Sequence, residues 1–369
     1  MTSRVAALAI RNVDFHANRV FDREAIEHMR ATLHPMALPW LAVHAEATRR
    51  GVRLLTADSV GAEGISPRHL RLIAYDWTPW AEALLAGGAQ PSVLVSLEPP
   101  VIAWWLYANL PKVSARFRHV FLFEGARSRV ARGTTFHQLA FPLCCPSPHP
   151  SAVAWPERRF LVLVSSNKVL PSVLDPRRWL DRPREVSLKR ALAALLYPAI
   201  AADRYRERLA AMEAFADRPD FDVFGEGWDR RHPAVSPRQH ARLLRAVRGP
   251  APDKLALLGR YRFVLAIENT RFRGYVSEKL FDAFYAGAIP VYDGAPDVQR
   301  YVPPETFIDR RTFASYAELE GFLRALSERE AQRYLDAAQA FLRSAAFARF
   351  CADRFAADLL DTLLTDAEG

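Results

Sequence analysis

The residues best placed to do chemistry lie between Tyr261 and Asp309, in the stretch YRFVLAIENTRFRGYVSEKLFDAFYAGAIPVYDGAPDVQRYVPPETFID. An apolar run, Phe263 to Ile267, passes directly into Glu268 and Asn269. A buried strand with this ending delivers polar side chains to its carboxyl end, where open α/β sheets bind ligands. Tyr275 to Gly287 then has helical spacing, with Val276, Leu280, Ala283 and Phe284 on one face, Ser277 suited to cap the start and Gly287 to stop the end. Lys279 falls in the first turn. A cation there opposes the helix dipole, yet together with exposed N–H groups it would hold an anion such as a diphosphate; a solvated lysine is the bland account of the same residue. The run GAIPVYDG brings back a second short strand ending in Asp293 and Gly294. Two loops then reach one edge of a sheet, and such a pair makes a crevice.

Elements to position these residues recur along the chain. Short apolar runs, Val52 to Leu55, Val93 to Leu97, Val120 to Phe123, Phe160 to Val164, Phe221 to Phe224, Phe263 to Ile267 and Ile289 to Tyr292, read as buried, mostly parallel strands. Between them Pro39 to Arg50, Arg204 to Phe215 and Val276 to Ala286 carry apolar residues at three and four spacing, as core-facing helices do. The alternation predicts an α/β protein. The 369 residues, half of them hydrophobic, suffice for two domains with separate cores. The proline-rich stretch Pro142 to Pro156 is the natural division, giving domains 1–155 and 156–345 with a helical tail over 346–369. Leu170 to Arg190, with Arg177, Arg178, Arg182, Arg184, Lys189 and Arg190 among prolines, reads as a basic surface insert.

The ordered set Glu268-Asn269, GYVSEK, AGAIPVY and YVPPETFIDRR resembles the C-terminal signature of glycosyltransferase family 10, the α-1,3/4-fucosyltransferases, in a bacterial-type form. The resemblance runs back through FDVFGEGWD, the helix RYRERLAAMEAF and the strand FLVLVSSN ending at Asn167, and forward to about Phe355. It implies a GT-B fold, two Rossmann-like domains facing across a cleft, with the donor in the C-terminal domain and the acceptor mainly on the N-terminal one. The implied reaction is inverting transfer of fucose from GDP-fucose to a hydroxyl of a glycan acceptor. The same resemblance sets Arg208, or Arg204 in the alternative register, with Lys279 against the donor diphosphate. Asn269, Tyr275 and Glu278 match positions that hold sugar and ribose hydroxyls, and Asn167 joins the donor-binding set. Ile267 and Ser277 depart from the family's common Phe and Thr, both mildly.

Such a displacement needs a carboxylate to take the acceptor proton. Glu98 follows the run Val93 to Leu97 and precedes Pro99 and Pro100, which resembles the family's acidic residue near a proline; Glu124, after Val120 to Phe123, is the second choice. A solvated loop acid is the competing account of either. No DxD-like motif adjoins the pocket, so no metal or cofactor beyond the donor is expected.

The net charge of +9 suits an anionic partner: a nucleotide diphosphate, an acidic membrane surface or nucleic acid. No zinc finger or RNP-like aromatic pattern supports the last, and salt-dependent binding would be its sign. Another GDP-sugar in the same fold and a silent sugar-binding relative stay open. His137, Cys144, Cys145 and His149 lack paired C-x2-C spacing for zinc. Three cysteines, two adjacent, make no disulfide framework and favour a cytoplasmic setting. The N-terminal apolar run, broken by Arg11 and Asp14, is too short for a leader or a membrane span. Membrane association, read from the basic insert and net charge, would be peripheral, on the cytoplasmic face.

Overall fold

The computed structural model describes residues 5–10, 13–29, 34–144, 153–167 and 184–365. The chain divides into two compact units, Met1–Cys145 joined by Ala348–Gly369, and Pro146–Phe347. The division falls within the proline-rich stretch. Most of that stretch, including Cys145 and His149, and the basic insert up to residue 183 lie outside the described residues.

The first unit holds six strands: β1 (Val5–Ala9), β2 (Arg53–Thr56), β3 (Arg71–Tyr75), β4 (Gln90–Val95), β5 (His119–Leu122) and β6 (Thr135–Gln138). They form one parallel sheet in the order β2-β1-β3-β4-β5-β6. The N-terminal apolar run is therefore an inner strand. Ala7 stands opposite Leu55 on one side and Leu72 on the other, and Ala6 to Ala9 are buried. The helix His34–Arg49 starts a turn before Pro39; that proline removes only the hydrogen bond to the carbonyl four residues back.

The C-terminal helix Ala352–Thr365 belongs to this unit and packs on His34–Arg49. Phe355 meets the fully buried Trp40 edge-on at 6.0 Å between ring centroids. The buried Arg71 side chain donates to the Leu363 carbonyl, and Arg50 pairs with Asp361. These bonds give β3 and the helix polar anchors, as a buried guanidinium requires.

The second unit holds β7 (Arg159–Val164), β8 (Phe221–Phe224), β9 (Val247–Gly249), β10 (Tyr261–Ile267), β11 (Ile289–Asp293) and β12 (Ile308–Asp309), all parallel, in the order β12-β11-β10-β7-β8-β9. The order reverses between β7 and β10, so the loops leaving these two strands diverge to opposite faces and open a ligand crevice at their carboxyl ends. Leu161, Leu163, Phe263, Leu265 and Val291 bury one face of the sheet against Leu209, Met212 and Phe215 of the helix Tyr205–Phe215. Each such side chain contributes about 1.5–3 kcal/mol on burial, which fixes the strand ends that carry the polar residues. No helix among the described residues is long and apolar enough to cross a membrane.

Candidate functional site

β10 ends at Ile267, and Glu268 and Asn269 follow at once. Glu268 is wholly buried. Its two carboxylate oxygens accept from the Ser277 backbone N–H and from Ser277 Oγ, each at 2.7 Å. Ser277 is extended (φ −96°, ψ −175°) and caps the helix Glu278–Tyr285. The helix thus begins three residues later than the spacing of Tyr275 to Gly287 predicts, because Tyr275 and Val276 are spent bringing the loop to Glu268. At the other end the Ala288 N–H donates to the Ala283 carbonyl at 2.9 Å, with Gly287 at φ 65° between them, the glycine stop expected there. The floor is completed by Gly294, where a Cβ would overlap the Tyr292 hydroxyl and Glu268 Cγ.

Lys279 lies within this frame and is not the unmatched cation that its place in the first turn predicts. Its Nζ lies 3.1 Å from Glu278 Oε1, 3.1 Å from Ser277 Oγ and 3.5 Å from Glu268 Oε2. Two carboxylates offset the helix dipole, and the Ser277 N–H is already occupied. Burial disfavours the Lys279 ammonium, but Glu278 and Glu268 outweigh it and raise the pKa. Burial pushes the Glu278 carboxyl up, but Lys279 and Lys254 overcome that and bring it to about 2. Glu268 goes the other way: burial raises it against the pull of Lys279. Lys254 is itself held 2.5 Å from Asp282, one turn along the helix from Glu278.

Arg208, Asn269 and Tyr275 form a second group beside the first. Arg208, 7% exposed on the helix Tyr205–Phe215, donates from Nη2 to the Ile267 carbonyl at 2.8 Å and to Asn269 Oδ1 at 2.9 Å. The Asn269 amide Nδ2 donates in turn to the Tyr275 hydroxyl at 3.3 Å. Asn167, just beyond β7, donates to the Gly227 and Arg230 carbonyls at 2.9 and 2.6 Å and accepts from the Tyr205 hydroxyl at 3.1 Å. Five of the six donor-side candidates of the second unit therefore sit just beyond β7 and β10 or at the start of the helix that follows β10, and the sixth, Arg208, reaches the end of β10 from the helix Tyr205–Phe215. Arg204, the alternative to Arg208, donates its backbone N–H to the Asn269 carbonyl at 2.9 Å and turns its side chain to Asp293 at 2.7 Å. Arg271 closes a two-point fork on the same carboxylate, 2.6 Å to Oδ1 and 2.9 Å to Oδ2. Sequence reasoning missed Arg271, Lys254 and Asp282. Only Arg271 carried a signal, being a cation in the loop between Asn269 and Tyr275.

The two carboxylates read as proton acceptors belong to the first unit. Glu98 follows β4 and is half-buried. Its backbone carbonyl accepts from the Tyr107 hydroxyl at 3.1 Å and from Ser96 Oγ at 3.2 Å, which holds the turn before Pro99. Burial, then the charges of Asp76 and Glu98, push the Tyr75 hydroxyl well above the usual range. Glu124 follows β5 and is engaged by Arg127 at 3.1 Å. His137 stacks on Phe121 and shares a 3.1 Å hydrogen bond with His119, and Cys144 is exposed. Among the described residues no three His, Cys, Asp or Glu side chains gather as a metal site.

The arrangement offers buried and half-buried cations, hydroxyl and amide groups at the switch point of a parallel sheet, which suits an anionic, hydroxyl-rich ligand. Comparison with known proteins points the same way. Residues 187–341 match the model described as glycosyltransferase family 10 (fucosyltransferase), C-terminal part. An α-(1,4)-fucosyltransferase of Arabidopsis thaliana is 46% identical over 71 residues, 19% of this chain and 18% of that protein. α-(1,3)-Fucosyltransferase 7 of Bos taurus is 34% identical over 164 residues, 44% of this chain and 42% of that protein. The match thus spans less than half of these relatives. Among solved structures, an α1,3-fucosyltransferase with GDP is similar over 97% of this chain and 90% of its own, at a TM-score of 0.50 and 14% identity. A glycosyltransferase from Rickettsia africae is similar over 97% of both chains, at a TM-score of 0.54 and 8% identity. The fold, two Rossmann-like α/β units, is of the GT-B class.

Proposed function

We propose, from the match of residues 187–341 to glycosyltransferase family 10, that this protein is an inverting fucosyltransferase moving fucose from GDP-fucose to a hydroxyl of a glycan acceptor. The observation that carries the reading is the Lys279, Arg208, Asn269, Tyr275 and Glu278 cluster at the end of β10, beside the reversal of strand order. The α1,3-fucosyltransferase that shares the fold holds GDP, and a GDP-sugar is the donor this cluster fits.

The diphosphate lies against Lys279 and Arg208, with Arg204 the more open alternative. Asn269, Tyr275 and Glu278 receive ribose and sugar hydroxyls, and Asn167 borders the donor from β7. Glu98 takes the proton of the acceptor hydroxyl; the freed oxygen forms its bond to the anomeric carbon as the bond from that carbon to the diphosphate breaks. The electron pair leaves on GDP, and configuration inverts. Glu124 serves less well, since Arg127 already neutralises it. Lysine and arginine neutralise the growing leaving-group charge through charge-assisted hydrogen bonds, so no metal is called upon. Contact with an anionic membrane surface rests on the basic insert and the net charge; failure to sediment with anionic vesicles at low salt removes it.

GDP release from GDP-fucose, with and without lactosamine-type acceptors, tests the assignment. Acceptor-stimulated release lost in both Lys279→Ala and Glu98→Gln supports donor site and base together. Turnover of another GDP-sugar in place of GDP-fucose keeps the phosphate grip and overturns the fucose assignment. Absence of GDP binding overturns the whole reading.

A further inference from the structure

The end of β11 gathers a second set of charges beside the donor cluster, and Arg204 belongs to it. Asp293 is fully buried. It stands opposite Ile267 in the sheet, and its carbonyl accepts from the Glu268 N–H at 2.8 Å, so its backbone is locked to the strand that carries the donor cluster. Two arginines converge on its carboxylate: Arg271 through Nε and Nη2, and Arg204 through Nη2, which also reaches Glu207 at 3.0 Å. Burial weighs against the Asp293 charge, but the hydrogen bonds of Arg271 and Arg204 outweigh it and hold the carboxyl below its usual range.

Asp293 and Glu207 face three guanidinium groups, those of Arg271, Arg204 and Arg310, the last 3.6 Å from Glu207, and this leaves positive charge over. Burying the Asp293 carboxylate is costly unless it is well paired, so the arrangement is a fixed pivot and not a loose surface bridge. Arg271 is 40% exposed and Arg204 24% exposed. The bonds to Asp293 and Glu207 use Nε and Nη2 of Arg271 and Nη2 of Arg204, and Arg204 Nε is buried without a partner among the described residues, so donors remain on both guanidinium groups. Arg204 is placed by its N–H bond to the Asn269 carbonyl, which sets it beside Arg208 and Tyr275. A diphosphate presents more oxygens than Lys279 and Arg208 can meet.

We propose that Asp293 is a positioning residue that aims Arg271 and Arg204 at the donor diphosphate, making a second cationic grip across the Asn269 turn from Lys279. The proposal rests on the donor reading given above. It assigns to Arg271 direct contact with the phosphates and to Asp293 an indirect role.

Calorimetric titration of the full-length protein with GDP and, separately, with guanosine tests it. Arg271→Gln should weaken GDP binding about tenfold to a hundredfold, the range of charge-assisted hydrogen bonds, and leave guanosine binding unchanged. Asp293→Asn should raise the KM for the donor by a similar factor without moving the KM for the acceptor. Since Asp293→Asn can unfold its unit, Arg271→Gln is decisive. Wild-type GDP affinity in that variant, or equal losses for GDP and guanosine, overturns the proposal while the donor reading stands. A wild-type protein that binds no GDP overturns the donor reading itself, and the proposal with it.

Discussion

Replacing Glu278 by glutamine tests whether the electrostatics around the helix start are as the structure draws them. Glu278 is ionised between Lys279, at 3.1 Å, and Lys254, and its carboxyl falls from the usual 4.5 to about 2. At 1.36 kcal/mol for each pKa unit, that fall is worth about 3 kcal/mol of stability at neutral pH. Because the folded-state value is the depressed one, the stabilisation is complete well above 4.5 and is lost as pH falls toward 2. It should drop to about half by pH 3 and almost vanish near pH 2. Urea unfolding of wild type and Glu278→Gln, followed by tryptophan fluorescence, measures this in the transition of the second unit, whose Trp228 is buried and bonded to the Ser165 carbonyl. The variant should be less stable by about 2–3 kcal/mol at pH 7, with the gap closing in acid. Equal midpoints at pH 7, or a gap unchanged at pH 3, would refute the account of Glu278 as an ionised partner of two lysines.

Asn269→Ala removes the bridge between Arg208 and Tyr275; GDP affinity by calorimetry should fall about tenfold, as expected for losing a hydrogen bond to a charged group, with melting temperature changed little. Gly294→Ala forces a methyl group into the Tyr292 hydroxyl and Glu268, and overpacking of this kind costs about 1–3 kcal/mol, read as a lower urea midpoint of the second unit. Trp40→Ala empties the contact between β3, the helix His34–Arg49 and Phe355, and should cost the first unit about 3–5 kcal/mol while sparing the second unit's transition.

Where apolar residues run without interruption the sequence was readable. β10 and β11 sit where Phe263 to Ile267 and Ile289 to Tyr292 placed them, because strands buried on both faces have no polar alternation to hide them. β3 is not read from the sequence: its apolar part, Leu72 to Tyr75, is short and opens on Arg71, whose bond to the Leu363 carbonyl is a property of the folded chain. β6, of sequence TFHQ, is a half-exposed edge strand, and β9 and β12 have three and two residues, too few to show a period. The polar ends of β10 and β11 were legible as a crevice because carboxyl ends of parallel strands converge. The partners of Lys279 were not, since the bond from Glu268 to Ser277 spans nine residues of loop that no local spacing encodes. Asp293 reads from the sequence only as a strand end; that it gathers Arg204, 89 residues earlier, is a property of the folded sheet.

The return of the last helix to the first unit sets the order in which this protein can be made. During synthesis the amino-terminal unit emerges first, but the face of His34–Arg49 that receives Phe355 has no cover until the whole of Pro146–Phe347 has been translated. The second unit, continuous in sequence, can close on itself meanwhile. The usual vectorial order, first domain first, is thereby inverted: the unit begun first is completed only after the second, and until Ala352–Thr365 has emerged the face that receives Phe355 stays uncovered.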